Sequence, residues 1–318
     1  MRFKSKAVCF CLIAAGACSG STAPPPVVQR LYVTNRSGNS VTAYETTSSG
    51  NAGPVATITG PSTLLDQPTG IALDAAGRIY VATLAGPSIL TFGAGASGDA
   101  SPAQITGGNT GLSGPAGLAF DAVGRLYVSN AANNSVTIYA AAASGNATPV
   151  ATIVGSQTGL NGPSGIGLDI SRRIYVANTL GNSITIYDAG SSGDAVPRRV
   201  ITGSSTALNA PAGIAVDSAG RVFVTNSGGS IPSITVYAAE ALGNVAPIAI
   251  ISGPSTGLDQ PTDIARDAVG RLWVVNAAGS SSGYSITAYS GAVIGNVPPS
   301  VTIQGASTGL NGPLSLSF

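Results

Sequence analysis

Apolar and polar positions recur along this chain with a period of about 48 residues, which indicates a repeat architecture. The unit is complete in Pro115–Gly162, and further copies begin at Pro68, Pro163, Pro211 and Pro261. Within each copy, short apolar stretches alternate with polar turns. The stretch Ser135–Tyr139 has apolar residues at every second position, which is the period of a β-strand. No copy keeps a helical period, so we expect strands throughout.

One unit predicts four strands joined by tight turns. The predicted strands are Gly117–Phe120, Arg125–Ser129, Ser135–Tyr139 and Val150–Val154. Between the first two, Asp121 and Gly124 mark a turn, since an Asp side chain accepts nearby backbone N–H groups and glycine tolerates a positive φ. Four antiparallel strands in a unit of this length are typical of a β-propeller blade.

The ends of the chain indicate how many blades there are and how they close. The arginine-led second strand occurs six times, first at Arg30, where no inner strand precedes it. The final residues, Pro313–Phe318, form an inner strand with nothing after it. We therefore predict an all-β, six-bladed propeller over residues 30–318, closed by the C-terminal strand, which completes the N-terminal blade.

These motifs resemble the NHL-repeat propellers. The matching residues are the Pro-x-Gly-Ile-Ala-x-Asp inner strand, the Gly-Arg-Ile-Tyr-Val-Ala-Asn second strand and the Asn-Ser-Ile-Thr-Ile-Tyr segment Asn182–Tyr187. The resemblance implies the fold, which hosts binding modules, lyases and lactonases alike. Lyases of this kind depend on histidine. Gluconolactonase-type members hold a divalent metal on the axis with a Glu, an Asn and an Asp.

The N-terminal residues predict export. Residues 1–17 combine basic Arg2, Lys4 and Lys6 with an apolar run from Ala7 to Ala17, which is the pattern of a signal peptide. Ala15-Gly16-Ala17 followed by Cys18 resembles a bacterial lipobox, with Ala15 where the pattern prefers Leu. Residues 18–29 then form a Pro-rich tether. We expect a lipoprotein anchored through Cys18, periplasmic or at the cell surface; the alternative is plain secretion with Cys18 unmodified.

Composition narrows the chemistry further. The chain has no histidine, and its only cysteines are Cys9, Cys11 and Cys18, so His-based acid–base catalysis and a cysteine nucleophile are not expected. The only glutamates, Glu45 and Glu240, follow third strands, away from the axis. Without the signal peptide, 11 basic residues face 13 acidic ones, a net charge of −2, so we expect no nucleic-acid binding.

Recurrent Asp and Asn residues are interpreted as turn and loop braces. The Asp after each inner strand occurs in five copies, and an Asn ends the second strand in five. Such side chains brace turns through their own backbone more often than they bind ligands.

Departures from the repeat indicate where a site lies. The loops Ser227–Ser233 and Ala277–Ser285 are longer than their counterparts, and they lie on the face that carries the connections between blades. In the repeat that begins at Pro261, Asp263 replaces a glycine and Arg266 replaces an apolar residue. The two either pair with each other or with neighbours, or serve a ligand. The candidate ligand-binding residues are Gln260, Thr262, Asp263, Arg266, Asn276 and Tyr284.

The leading functional prediction is a non-catalytic binding or scaffolding module that engages a peptide, glycan or protein outside the cytoplasm. The alternative is a metal-assisted hydrolase or lactonase at the channel mouth, and a third is a structural surface protein without a site. No cofactor and no metal ligands are predicted; calcium is the ion that Asp263 and backbone carbonyls would accept. We expect a monomer that contacts the membrane only through its lipid anchor.

Overall fold

A computed structural model describes residues 29–277, 283–290 and 294–318. The predicted signal peptide, Cys18 and the predicted tether up to residue 28 lie outside the described residues, as do residues 278–282 of the longest loop. The described chain forms six antiparallel sheets of four strands, so the predicted six-bladed propeller is confirmed. None of the helices among the described residues is long and apolar enough to cross a membrane.

The strands are numbered β1 to β24 along the chain. The inner strands are β4 (Pro68–Leu73), β8 (Pro115–Phe120), β12 (Pro163–Leu168), β16 (Pro211–Val216), β20 (Pro261–Arg266) and β24 (Pro313–Ser317). The second strands are β1 (Arg30–Asn35), β5 (Ile79–Thr83), β9 (Leu126–Asn130), β13 (Ile174–Asn178), β17 (Val222–Asn226) and β21 (Leu272–Asn276). The third strands are β2 (Ser40–Glu45), β6 (Ser88–Phe92), β10 (Ser135–Tyr139), β14 (Ser183–Tyr187), β18 (Ser233–Tyr237) and β22 (Ser285–Tyr289). The outer strands are β3 (Ala56–Ile58), β7 (Ala103–Ile105), β11 (Ala151–Ile153), β15 (Arg199–Thr202), β19 (Ala249–Ser252) and β23 (Val301–Gln304).

Strand boundaries differ from the prediction where a strand departs from the regular backbone hydrogen bonding of its sheet. The inner strand β8 begins two residues early, at Pro115, and a bulge follows, because the Gly117 N–H donates to Ser129 Oγ at 2.8 Å instead of to a backbone carbonyl. The outer strand β11 is shorter than predicted. Its neighbour Val154 donates its N–H to the Gly193 carbonyl of the next blade, at 2.9 Å.

The C-terminal strand closes the ring, as predicted. Strand β24 pairs with β1 in the register Val33↔Leu316, so the first blade contains strands β24, β1, β2 and β3. Leu316 is 3% exposed and packs with Trp273 of the last blade. Closure therefore pairs an edge and also completes an apolar cluster between two blades.

Adjacent blades are held together by apolar clusters and by buried tyrosines. The last residue of most third strands is a tyrosine whose hydroxyl donates to a threonine carbonyl in the connection that precedes the same blade. Tyr139 donates to Thr110 at 2.5 Å and Tyr289 to Thr256 at 2.6 Å. Burial raises the pKa of Tyr139 to about 12, so the hydroxyl remains a donor at all physiological pH values.

The Asp turns are braces, as interpreted from the sequence. Asp121 Oδ1 accepts the N–H groups of Val123 and Arg125, while Oδ2 accepts Arg125 Nε at 2.7 Å and the Tyr127 hydroxyl at 3.3 Å. Burial alone would raise the pKa of Asp121, but the hydrogen bonds from Arg125 outweigh it and hold the pKa below its usual value. The carboxylate is thus fully used by its own blade.

Candidate binding site at the mouth of the central channel

The inner strands surround a central channel that opens on the loop face, the face with the blade-to-blade connections. The cavity at this mouth has a volume of about 210 Å³. Its lining includes the second residue of each inner strand, namely Thr69, Ala116, Ser164, Ala212, Thr262 and Leu314. The opposite face, which carries the Asp turns, is called the turn face.

The channel narrows at the third residue of the inner strands. A Cβ atom at Gly117 would lie 2.4 Å from the Ser164 carbonyl oxygen, and one at Gly70 would lie 2.1 Å from the Ala116 oxygen. Glycine is therefore required where neighbouring strands approach this closely. Asp263 and Ser315 hold the same position in β20 and β24, and both line the mouth and also a second cavity of about 330 Å³ beyond it.

Asp263 is hydrogen-bonded by neutral donors only. Its Oδ2 accepts the Ser315 hydroxyl at 2.6 Å and the Leu316 N–H at 3.0 Å, and its Oδ1 accepts the Ile264 N–H at 2.8 Å. No ion pair within the described part of the chain includes this carboxylate. Burial raises the pKa of Asp263 to about 6, and the three hydrogen bonds limit the rise.

Thr262 and Asp263 are the two predicted site residues that the structure brings together at the mouth. The Thr262 hydroxyl donates to the Leu314 carbonyl at 2.8 Å, across the junction between the last and first blades. Gln260 lies exposed in the connection before β20, and Tyr284 lies half-buried before β22; neither lines the mouth cavity. Their assignment to a ligand remains a prediction.

Asn276 is a loop brace. It is fully buried; its Oδ1 accepts the Asp259 N–H at 3.0 Å, and its Nδ2 donates to Thr287 Oγ1 at 3.1 Å. The equivalent asparagines do the same, as Asn130 shows with Ser113 and Thr137. Its side chain is therefore occupied by the connection that it holds.

Arg266 lies between two blades, and its contacts indicate a structural role. Its Nη1 lies 3.4 Å from Asp217 Oδ2 of the preceding blade, and its guanidinium lies over the Phe223 ring at 5.2 Å. In four other blades the residue at the position of Phe223 is a Tyr or Trp that donates to the turn Asp, as Tyr175 donates to Asp169 at 3.2 Å. Phe223 has no such donor, and the Arg266 guanidinium of the next blade forms an ion pair with Asp217 instead.

Ser315 was missed by the sequence interpretation, although a signal was present. Aligning Pro313-Leu-Ser315 with the Pro-x-Gly start of the other inner strands places Ser315 at the glycine position. The hydroxyls of Thr69 and Ser164 were missed too, because their position varies from copy to copy. No repeat pattern marks a residue that belongs to a site only through closure of the ring.

The connections at the loop face carry a net negative charge. This face bears Asp66, Asp259 and Asp263 against the single cation Arg36, a net charge of −2. Two further carboxylates, those of Asp99 and Asp194, accept hydrogen bonds from residues of the connections, namely from the Ser62 and Gln157 N–H groups at 2.7 Å each. A positively charged group therefore finds the more favourable potential at the mouth.

The mouth does not fit the metal site that the family resemblance implied. Among the described residues, no group of three or more His, Cys, Asp or Glu side chains could hold a metal ion. Asp263 is the one acid at the constriction, and the equivalent positions of the other inner strands are glycine or serine. This donor set lacks the Glu and Asn that the resemblance calls for.

Comparisons with known proteins agree with the fold. A protein of unknown function from Bacteroides caccae is 10% identical, with a TM-score of 0.64 over 91% of this chain and 98% of that one. A catalytically inactive histidine-to-alanine variant of virginiamycin B lyase from Staphylococcus aureus, with quinupristin, is 16% identical, with a TM-score of 0.54 over 78% and 74%. The PQQ-bound aldose sugar dehydrogenase from Streptomyces coelicolor is 16% identical, with a TM-score of 0.54 over 82% and 86%. At these identities the likeness shows the fold alone.

The family comparison covers part of the chain. The model described as SMP-30/Gluconolactonase/LRE-like region matches residues 110–249, which is less than half of the sequence. No curated protein matches. The NHL resemblance therefore holds at the level of the propeller architecture. The chain is a six-bladed β-propeller that is similar, over residues 110–249, to the SMP-30/gluconolactonase/LRE-like region.

Proposed function

We propose that this protein is an exported, lipid-anchored propeller that binds a partner non-catalytically through its loop face. The observation that carries the proposal is the Asp263–Ser315 pair, which places a carboxylate without a counter-ion inside the mouth cavity. Burying a charge in this way costs stability unless it is compensated. Its position at a concave opening on a rigid ring supports a role in binding.

The size of the cavity bears on the kind of partner. At about 210 Å³ the mouth is smaller than pockets that enclose whole drug-sized ligands, which measure about 300–1,000 Å³. It accommodates one projecting group, such as a side chain, a chain terminus or a sugar substituent. We therefore propose a peptide or a glycan as the partner, with one group inserted and the remainder resting on the surrounding connections.

Export and anchoring are supported by the sequence of residues 1–18. The basic start, the apolar run and Ala15-Gly16-Ala17-Cys18 form the pattern of a lipoprotein signal. Strand β1 begins at Arg30, at the turn face, so a tether attached there leaves the loop face directed away from the membrane. That orientation suits a module that engages partners outside the cytoplasm.

A peptide array and a glycan array, probed with the mature protein, test this proposal. Ala116→Phe fills the mouth, whereas Val123→Phe enlarges an exposed residue at the turn face and serves as the matched control. We expect Ala116→Phe to lose at least 10-fold in affinity for the array hits and Val123→Phe to bind like the wild type. Equal binding by Ala116→Phe, or a wild-type protein that binds neither array, would refute the proposal.

A lactonase or related hydrolase is the competing function, which the partial match to the gluconolactonase region favours. It predicts turnover of a lactone panel in the presence of calcium or another divalent cation. If the wild type turns over a lactone, and Asp263→Asn abolishes this turnover without a change in thermal stability, catalysis would replace binding as the function of the mouth. Against this alternative, the described residues of the mouth lack the metal-ligand set that such an enzyme needs.

A further inference from the structure

We infer that the group received by the channel mouth is an ammonium, as on a lysine side chain, a peptide N-terminus or an amino sugar. The inference rests on the proposed binding function and narrows its ligand class. It starts from the charge of Asp263, which lies in the cavity with hydrogen bonds from a hydroxyl and two backbone N–H groups but with no cation. No arginine in the described part of the chain forms an ion pair with Asp263; Arg173, for example, pairs with Asp169, and Arg266 pairs with Asp217.

Three hydroxyls of the mouth act as acceptors toward the cavity. The Thr69 hydroxyl donates its proton to the Pro115 carbonyl at 2.7 Å, and the Thr262 hydroxyl donates to Leu314 at 2.8 Å. The Ser315 hydroxyl donates to Asp263 itself. Because these protons are already committed, the hydroxyl oxygens present lone pairs to the cavity. A mouth rich in acceptors suits a ligand rich in donors, and an ammonium brings three.

A metal ion fits these groups less well than an ammonium does. Calcium takes six to eight oxygen ligands, commonly from several carboxylates. The mouth offers one carboxylate, both of whose oxygens already accept hydrogen bonds. An ammonium needs only one charged partner and a few neutral acceptors, and its alkyl stem suits the apolar walls formed by Ala116, Ala212 and Leu314.

The burial of the Asp263 carboxyl supports the inference. Burial raises the pKa of this carboxyl, and a bound cation would oppose that rise. The strands packed against β20, which are β16, β17, β21 and β24, contain no other titratable side chain. On β20 itself Arg266 faces Asp217 of the preceding blade. A pH-dependent change in affinity around pH 6 is therefore attributable to Asp263.

The test compares pentylammonium with 1-pentanol, which has a similar shape and no charge. Calorimetric or NMR titrations of the mature protein at pH 7.5 and low salt should show at least 10-fold tighter binding of pentylammonium. At pH 5, where Asp263 is largely protonated, the preference should fall several-fold. Asp263→Asn should reduce it to less than 2-fold, whereas Asp66→Asn and Asp259→Asn, which remove loop-face charges outside the mouth, should change it by less than 2-fold.

The possible results of these titrations distinguish an ammonium site from a metal site and from a mouth that binds no ligand. Equal affinities of the amine and the alcohol, both lost in Ala116→Phe, would overturn the ammonium inference and leave the binding site standing. Displacement of pentylammonium by micromolar calcium would overturn it in favour of a metal site. Failure of both probes to bind would overturn it together with the proposed use of the mouth. If Asp263→Asn does not fold, the comparison of the two pH values on the wild-type protein still decides.

Discussion

The contact of Arg266 with Asp217 and Phe223 predicts that one blade compensates for a hydrogen-bond donor that is missing in the preceding blade. Arg266→Leu restores the apolar residue that Leu73 and Leu168 represent in other blades. We expect it to destabilise the wild-type protein all the same, because Asp217 loses the Arg266 guanidinium at 3.4 Å and Phe223 cannot replace it.

The magnitude follows from the geometry. An ion pair at the surface contributes about 0.2–1 kcal/mol, and this one should lie at the upper end because Asp217 is buried. The cation–π contact adds about 0.5–1 kcal/mol. Leucine packing offsets part of this loss, so the net cost should be about 1–2 kcal/mol. In a Phe223→Tyr background the new hydroxyl donates to Asp217, as Tyr175 does to Asp169 at 3.2 Å. There the same change should cost less than about 0.5 kcal/mol, a coupling of about 1 kcal/mol.

The free energies of unfolding of the wild type, Arg266→Leu, Phe223→Tyr and the double variant are measured in urea. The fluorescence of Trp273, the single tryptophan of the chain, reports unfolding. Tyr127→Phe is the matched control. It removes the hydroxyl that Asp121 accepts at 3.3 Å, in a blade whose neighbour supplies Leu168 and no arginine, so it should destabilise without rescue. Additive effects within about 0.3 kcal/mol, or a neutral Arg266→Leu in the wild type, would show that the Arg266 ion pair does not compensate for the missing donor at Phe223.

Four further changes test closure, titration, blade contacts and anchoring. Deleting Pro313–Phe318 removes the closing strand and should cost several kcal/mol and cause aggregation; a melting temperature within one or two degrees of the parent would contradict the closure. Asp263 has a pKa of about 6 in the folded protein and about 4 in the unfolded chain, so its contribution to stability is largest below pH 4 and should fall by about 2–3 kcal/mol as the pH rises through 6. The Asp263→Asn protein should lack this pH-dependent contribution. Parallel pH profiles of the free energy of unfolding for the two proteins would refute the expectation. Tyr139→Phe removes the hydrogen bond to the Thr110 carbonyl at 2.5 Å and should cost about 1–2 kcal/mol by denaturant unfolding, an expectation that an unchanged midpoint would sink. Cys18→Ser in the native host should move the protein from the membrane fraction to the soluble one, and unchanged fractionation would exclude the anchor.

The architecture was readable from the sequence because the information that specifies a blade is local. Period-2 alternation in Ser135–Tyr139 marks a strand, and the Asp121–Gly124 turn marks its reversal. Five complete copies and two complementary terminal fragments, which together make a sixth, imply closure of the ring. The Asp and Asn braces were also predictable, because they bond within a few residues of themselves or to the adjoining connection.

The site depended on contacts that no local pattern carries. Asp263 and Arg266 are three residues apart, yet the structure pairs Asp263 with Ser315, 52 positions along the chain, and Arg266 with Asp217 of the preceding blade. Gln260 and Asn276 are close to Asp263 in sequence but lie away from the mouth. In a propeller each inner strand is packed between the strands of neighbouring blades, about one repeat away in either direction. The amino-acid sequence therefore determined the blade and the ring, whereas only the closed ring decided which polar groups meet on the axis.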